Sequence, residues 1–517
     1  MTWLDALLNE PFVCITDMIR RFAIERGDHA ALICNDERVT YAELDARVDR
    51  FAAALQRDGL KPGDAIALCA TASVEYVVAF LGGLRAGAAV APLAPSSSAS
   101  SLVSMIVNSG AQMLFLDAEV KSLLGPVAGE ISVTAVALDG HPGSIGLQTW
   151  LASAGTTPSS VTIEPAWPFN IIYSSGTTGT PKGIVQSHGM RWAYAQRSIE
   201  RGYGPDATTL ISTPLYSNTT LVSFMPTLTV GGTVVLMPKF DTTRYLILAQ
   251  QHRVTHTMLV PIQYQRLMAH PDFDRYDLSS FEAKFCTSAP FAASVKADVV
   301  WRWPGKLTEY YGMTEGGGSC QLEAHACPDK LHTVGKPVEG HDVRLINELG
   351  NEVAQGEIGE IVGHSPAMMT GYYRQPEKTA EAEWYDPSGK RFIRTGDMGR
   401  FDEDGFLTLL DRKKDMIISG GFNVYPSDLE TELRVHPDVA DAAVVGAPSE
   451  QWGETPVAFV VCRPQATLDE NTLLAWINAR LGKMQRLSAL RFIDALPRSP
   501  IGKVLKRELR EQFRFDR

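Results

Sequence analysis

The sequence predicts an α/β protein: a large multi-layer N-terminal body with mixed and parallel sheets, followed by a small α+β C-terminal domain. Three observations predict it. Strand-like and helix-like segments alternate from Ala30 to Pro92 and again from Thr233 to Val260, as in a largely parallel sheet covered by helices. The length of 517 residues exceeds what one hydrophobic core serves, so at least two domains are expected. An unbroken charged run, Asp411 to Asp415, separates the strand-like Phe406 to Leu410 from the apolar pair Ile417-Ile418 and leaves a tail of about a hundred residues, a usual size for an independent unit. The division is therefore placed at 1–411 and 412–517.

In chain order, Ala30 to Cys34 reads as a strand and Asn35-Asp36 as a turn. Thr40-Tyr41-Ala42-Glu43 reads as a capping box that opens a helix with Leu44, Val48, Phe51, Ala52 and Leu55 on one face. A turn at Lys61 to Asp64 precedes a strand at Ala65 to Ala70, a helix at Ser73 to Ala86 and a strand at Ala89 to Pro92. Thr233 to Pro238 and Thr257 to Val260 read as strands around a helical Tyr245 to Gln251. The Ser- and Pro-rich stretches Pro95 to Ser101 and Ala152 to Ser160 read as loops. In the tail, Ser427-Asp428-Leu429-Glu430 reads as a second capping box, Ala442 to Val445 and Val457 to Val461 as strands, and Leu468 to Leu481 as a helix.

Composition narrows the function classes. With 48 basic and 59 acidic residues, the formal charge of −11 argues against nucleic acid or an acidic membrane as the main partner. Seven scattered cysteines form no Cys-x-x-Cys pair, which supports neither a disulfide framework nor a zinc site and fits a reducing, cytoplasmic setting. No stretch approaches the roughly 18 apolar residues that span a bilayer, and the N-terminus lacks the basic start of a secretory signal.

Chemistry concentrates in Ser174-Ser175-Gly176-Thr177-Thr178-Gly179-Thr180-Pro181-Lys182-Gly183, directly after the apolar Ile171-Ile172-Tyr173. Gly176 and Gly179 let successive backbone N–H groups converge on an anion. The hydroxyls add donors, and Lys182 adds a positive charge. The run reads as a phosphate-holding loop in preference to a flexible Gly/Ser/Thr linker, which normally carries no Pro-Lys-Gly end, and it is not a Walker loop, because Pro181 precedes the lysine and Gly183 follows it. It resembles the signature loop of the adenylate-forming superfamily, which includes acyl-CoA and aryl-CoA synthetases, firefly-type luciferases and the adenylation domains of peptide synthetases. Further segments similar to that family follow in its order: Tyr311-Gly312-Met313-Thr314-Glu315, Arg394-Thr395-Gly396-Asp397, Asp411 to Asp415, Gly420-Gly421-Phe422-Asn423-Val424 and Pro500-Ile501-Gly502-Lys503.

The resemblance implies an ATP-dependent carboxylate–CoA ligase. A carboxylic acid attacks the α-phosphate of ATP to give acyl-AMP and pyrophosphate, and CoA then takes the acyl group with release of AMP. Ser174 to Lys182 would hold the β- and γ-phosphates. Thr314 would meet a phosphate oxygen, and Glu315 offers the hard oxygen that Mg2+ prefers. Tyr311 would stack on adenine against the opposite wall, Ser288-Ala289-Pro290, a segment that departs from the usual Gly-Gly-Ala-Pro and narrows that wall. Gly312 and Met313 belong to the same motif. Asp397 would accept from the ribose hydroxyls, with Arg412 as a second ribose contact. Lys503, on a turn-like tip able to reach another domain's cleft, is similar to the adenylation lysine. Lys414 matches the hinge of a mobile C-terminal lid, and Gly420 and Gly421 match the loop that lines the CoA pantetheine tunnel.

The acyl pocket falls at Thr213 to Thr220, where Tyr216 keeps the usual aromatic and Ser217 replaces a histidine. No acid lies between Ser212 and Met225 to hold an ammonium, and no arginine to hold a second carboxylate. Gly316 and Gly317 are expected to leave room at the pocket floor, with Met225, His256 and Tyr264 as lining. His256 has an alternative reading as a hydrogen-bonded core residue. An uncharged aromatic or medium-length aliphatic acid follows. The competing readings are a stand-alone enzyme that loads a carrier protein in trans, a luciferase-like oxygenase and a non-catalytic nucleotide-binding protein. The expected partners are small molecules, the carboxylate, ATP and CoA, with a homodimer as the assembly entertained.

Overall fold

The computed structural model describes residues 3–174, 182–419, 422–449, 451–464, 466–482, 485–499 and 502–515. The chain forms two compact units. The first comprises Met1–Leu331, Pro337–Asp342 and His364–Ile393, and the second His332–Lys336, Val343–Gly363 and Arg394–Arg517. The expected division after Asp411 falls inside the second unit, in the strand Leu407–Arg412.

The first unit holds two large sheets. One runs, neighbour to neighbour, through Cys320–Glu323, Lys306–Tyr311, Ala283–Cys286, His256–Leu259, Thr208–Ile211, Thr233–Leu236, Ala30–Cys34 and Glu37–Thr40. Its interior pairs are parallel and its two outermost pairs in this run antiparallel. The other carries Pro168–Ser174 and Lys182–Ser187 as an antiparallel pair beside parallel strands, Ala89–Pro92, Ala65–Cys69 and Ala111–Leu116 among them. The mixed and parallel sheets of the sequence reading are therefore present. Their strands are largely apolar because helices cover both faces of such sheets.

Local signals explain where helices begin. Thr40 and Glu43 form the expected capping box of Tyr41–Arg57, and that helix buries Leu44, Val48, Phe51, Ala52 and Leu55. Ser73 caps Val74–Arg85 through the Tyr76 N–H. Pro95 to Ser101 is only partly loop. The Ser98 hydroxyl accepts from the Ser101 N–H and starts the helix Ala99–Ser109, an N-cap that the serine-rich composition concealed.

The second unit contains an antiparallel sheet, Phe422–Val424, Ile417–Ser419, Gly453–Cys462 and Val439–Ser449, with Ala489–Phe492 added in parallel. The helices Pro426–Arg434, Glu470–Arg480 and Lys506–Phe515 complete its α+β character. The capping box read at Ser427 does not form. Pro426 occupies the first helical position, where its missing N–H costs nothing, and the Ser427 hydroxyl lies inside the first turn. Glu430 instead accepts from the Val444 N–H and pairs with Lys506. No described helix is long and apolar enough to cross a membrane.

Candidate active site

Four parallel strands, Thr208–Ile211, His256–Leu259, Ala283–Cys286 and Lys306–Tyr311, end along one edge of their sheet. The segments that leave their carboxyl ends are Ser212 to Ser217, Val260, Thr287 to Pro290 and Gly312 to Gly316. Ligands of α/β sheets bind outside such ends. The first unit therefore gathers Tyr216, Ser217, Ser288, Ala289, Pro290, Tyr311, Gly312, Met313, Thr314, Glu315 and Gly317 at one edge.

The two ends of the hydroxyl-rich run, Ser174 and Lys182, are register partners across their hairpin. Ser175, Gly176, Thr177, Thr178, Gly179, Thr180 and Pro181 lie outside the described residues, as does the Ser174 side chain. The Lys182 ammonium stands 4.9 Å from the centre of the Tyr372 ring. The Tyr372 hydroxyl donates to Glu315 Oε1 at 2.9 Å. Burial and the Glu315 charge both push the Tyr372 phenol above its ordinary range, so the proton stays on the tyrosine. The cation of the loop and the carboxylate of the Thr-Glu motif thus meet through a residue that the sequence reading missed. Gly371-Tyr372 is an ordinary strand dipeptide, and only the antiparallel pairing of Gly371–Tyr372 with the strand Lys182–Ser187 brings it to the site.

Glu315 fits a magnesium ion. It is half-buried and offers a carboxylate oxygen, and no group of three or more metal-ligating side chains gathers among the described residues. Water and phosphate oxygens would complete the shell, as is usual for this cation. No helix starts at Thr314. Its carbonyl accepts from Gln186 Nε2 at 2.6 Å, and the Glu315 carbonyl accepts from the Met369 N–H at 2.7 Å.

Ser288 has φ +86°, a left-handed conformation that costs a non-glycine residue roughly 1–2 kcal/mol. Its hydroxyl lies 2.5 Å from that of Thr219, on the helix Asn218–Thr229. Ser217 caps this helix by accepting from the Thr219 N–H at 3.3 Å, which occupies the hydroxyl that replaces the expected histidine. Tyr216 sits just before the cap, half-buried.

Two pocket expectations change. Gly316 does not leave open space: at φ +74°, an added Cβ would meet the Ala367 carbonyl at 2.1 Å and the Met190 methyl at 2.9 Å. The glycine is there for close backbone approach. His256 lies at the amino end of its strand, about 10 Å from the carboxyl edge at ~3.3 Å per residue. Its Nδ1 bonds the Thr255 hydroxyl at 2.7 Å, and its ring stacks on Tyr203 at 4.4 Å. It is a core histidine. Met225 and Tyr264 are buried in different hydrophobic cores.

Burial holds His256 and the equally enclosed His188 down to about 4. The unfolded chain takes up these protons first, so their contribution is complete above pH ~6.5 and is lost as pH falls toward 4, on the order of 2–3 kcal/mol for each group. Urea midpoints at pH 7.5 and 5 should differ in that sense, and His256→Gln should flatten the slope. An unchanged slope would contradict the assignment.

The second unit brings together Asp397 and Arg412. They are register partners of adjacent strands, with Arg412 Nε 3.3 Å from Asp397 Oδ1. Lys414 is exposed, and partial desolvation by the surrounding chain lowers its ammonium. It is flanked by Asp411, which accepts from the Ser427 N–H and pairs with Lys506, and by Asp415, which pairs with Arg510. Lys503 is exposed on a tight turn in which the Ser499 N–H donates to the Lys503 carbonyl at 2.8 Å. Gly502 has φ +79° there. Gly420, Gly421, Pro500 and Ile501 lie outside the described residues.

Comparison with known proteins identifies the family. The family described as AMP-binding enzyme matches residues 19–373, and its C-terminal domain matches 428–503. A feruloyl-CoA synthase of Amycolatopsis sp is 35% identical over 486 residues, covering 92% of this chain and 94% of that protein. The 4-coumarate–CoA ligase 2 of Nicotiana tabacum is 31% identical, covering 93% and 90%. The crystal structure of ATP-bound MatB from Rhodopseudomonas palustris superposes with a TM-score of 0.85 at 31% identity, covering 96% of this chain and 99% of that one. The protein is an AMP-forming acid–thiol ligase that uses ATP and CoA. The chain belongs to the AMP-binding enzyme family.

Proposed function

We propose that this ligase activates an uncharged aromatic acid of the hydroxycinnamate type, with phosphate handling at Lys182, Thr314 and Glu315. The contact of Lys182 and Glu315 through Tyr372 supports the site assignment, because a cation from one sheet of the first unit lies close to a carboxylate that follows a strand of the other. Magnesium bound there would neutralise phosphate charge. Tyr311 stacks on adenine beside Ser288, Ala289 and Pro290, while Asp397 and Arg412 take the ribose. Lys503 offsets the charge that grows as carboxylate oxygen attacks the α-phosphate. The 412–517 segment acts as the mobile domain, with Lys414 as its hinge. Free cysteines throughout fit a cytoplasmic setting.

The acid class rests on the uncharged stretch Ser212 to Met225 and on the named relatives. Behind it, Tyr203, Phe285 and Tyr310 pack ring on ring with centroids 5.9 and 6.1 Å apart, Tyr203 and Phe285 being buried in the core. Thr219, Ser223 and Thr227 form a hydroxyl stripe at helical spacing that bonds Ser288, Tyr203 and Thr209. These buried rings and mutually bonded hydroxyls are core rather than lining, so the choice of a flat aromatic ring comes from the uncharged stretch and from the relatives named for feruloyl and coumarate. A panel of aromatic, aliphatic and dicarboxylic acids, read by pyrophosphate release without CoA and thioester with it, tests the reading. Preference for an aliphatic or dicarboxylic acid would overturn it.

Ser288→Gly should relieve the strained φ and open the Ser288–Thr219 contact. The expected result is a shift of kcat/KM toward bulkier ring substituents, with a melting temperature at or above the parent's. An unchanged preference would remove Ser288 from the acid-binding wall.

A further inference from the structure

A fully buried arginine lies beneath the phosphate hairpin. Arg191, on the helix His188–Gln196, is 1% exposed and forms no ion pair among the described residues. Its Nε and Nη2 both donate to Asn170 Oδ1 at 3.1 Å, and Nη2 also donates to Gln186 Oε1. Nη1 is buried without a hydrogen-bond partner among the described residues, and the guanidinium carbon sits 5.7 Å from the centre of the Phe169 ring. Removing a charge from water costs several kcal/mol unless an opposite charge compensates it. Here two neutral amides take that place.

The consequence lies in the orientation of those amides. Asn170 and Gln186 are directly paired across the hairpin that carries Ser174 and Lys182. Because Arg191 has only donors, both amide oxygens must face it, and Asn170 Nδ2 then donates to Gln186 Oε1 at 3.0 Å. Gln186 Nε2 is left pointing outward. It donates to the Thr314 carbonyl at 2.6 Å and lies 3.4 Å from Asn218 Oδ1, the residue that follows the Ser217 cap. One side chain thereby joins the phosphate hairpin, the Thr314-Glu315 segment and the first turn of the helix beside the acid.

We infer that Gln186 is a positioning residue for adenylation, held in one orientation by Arg191 and Asn170, and that it fixes the Thr314-Glu315 backbone for phosphate and magnesium. The inference rests on the assignment of those ligands to Thr314 and Glu315 made above. Three-way registry matters because an error of about 1 Å at reacting groups can cost on the order of 100-fold in rate. The second half-reaction, CoA attack on acyl-AMP, does not require that registry of the departing pyrophosphate.

The test uses the full chain with Gln186→Leu, Arg191→Met and Glu315→Gln. Three quantities are read: acid-dependent pyrophosphate release across a magnesium titration, thioester formation from chemically prepared acyl-AMP and CoA, and the melting temperature. Arg191→Met removes a buried charge but leaves the buried Asn170 Oδ1 without its donors, so it should melt somewhat earlier than the parent, still folded at the assay temperature, while freeing Gln186 to rotate. Both Gln186→Leu and Arg191→Met are expected to lose about 10- to 100-fold in pyrophosphate release. Both should also need severalfold more magnesium and keep the thioester step within about threefold. Arg191→Met with parental pyrophosphate release and magnesium response would overturn the inference. So would equal loss of both half-reactions in Gln186→Leu, which marks a purely structural role. Glu315→Gln separates the two levels: a parental magnesium response there would overturn the site assignment itself, whatever the other variants do.

Discussion

Replacing Lys503 with alanine is expected to reduce acid-dependent pyrophosphate release by about 100- to 1,000-fold, the range seen when a donor aimed at developing charge is removed. Two anions meet in this step, and a cation between them is worth more in the transition state than in either reactant. The turn presents Lys503 in a form suited to that use. The Ser499 hydroxyl accepts from the Lys503 N–H at 3.2 Å, and Arg498 Nη1 donates to the Gly502 carbonyl at 2.6 Å, so the backbone is held from both sides while the side chain is exposed. Thioester formation from supplied acyl-AMP should stay within a few-fold of the parent. Parental pyrophosphate release in Lys503→Ala would remove the residue from the chemistry.

The second large effect concerns stability. Lys296, on the helix Ala293–Arg302, and Glu309, on the strand Lys306–Tyr311, form an ion pair with side chains only 2% and 4% exposed. Burial pushes the Glu309 carboxyl up to about 7 even beside the ammonium. Lys296→Met should cost about 3–5 kcal/mol, because it leaves a carboxylate without its partner in the core. Its pH dependence has a definite sign. Without Lys296, the folded carboxyl rises still further above its unfolded value, so the folded state holds a proton that the unfolded chain has released. The loss must therefore grow as pH rises through about 7, where the parent's carboxyl ionises beside Lys296 and the variant's does not. Urea midpoints of the first unfolding transition measure it, and the double variant Lys296→Met with Glu309→Leu should recover most of the stability. A loss independent of pH would show that Glu309 finds another counter-charge. Glu309 stands two residues before Tyr311, so the same pair anchors the strand that delivers the adenine-stacking candidate.

Local signals were legible wherever the decisive interaction lies within a few residues. The capping box at Thr40 and Glu43, the strands at Ala65 and Ala89 and the turn that bears Lys503 are of this kind. Ser427 misled because a neighbouring proline supplied a stronger helix start. Gly316 and His256 misled for a longer-range reason. Whether a missing side chain leaves a cavity, or a histidine faces a ligand, depends on what another part of the chain places opposite, here the Ala367 carbonyl and the Tyr203 ring.

By itself, the order of residues determined the family, the reaction and the layered α/β architecture, since periodicity and short phosphate-type motifs are properties of contiguous chain. Only the folded protein decided which distant groups share a site. Tyr372 bridging Lys182 to Glu315, Thr219 meeting Ser288, and Gln186, oriented by the nearby Arg191, meeting Thr314 join residues 57 to 190 positions apart. Side-chain hydrogen bonds have no periodicity in sequence. They exist only once sheet register has set the distances.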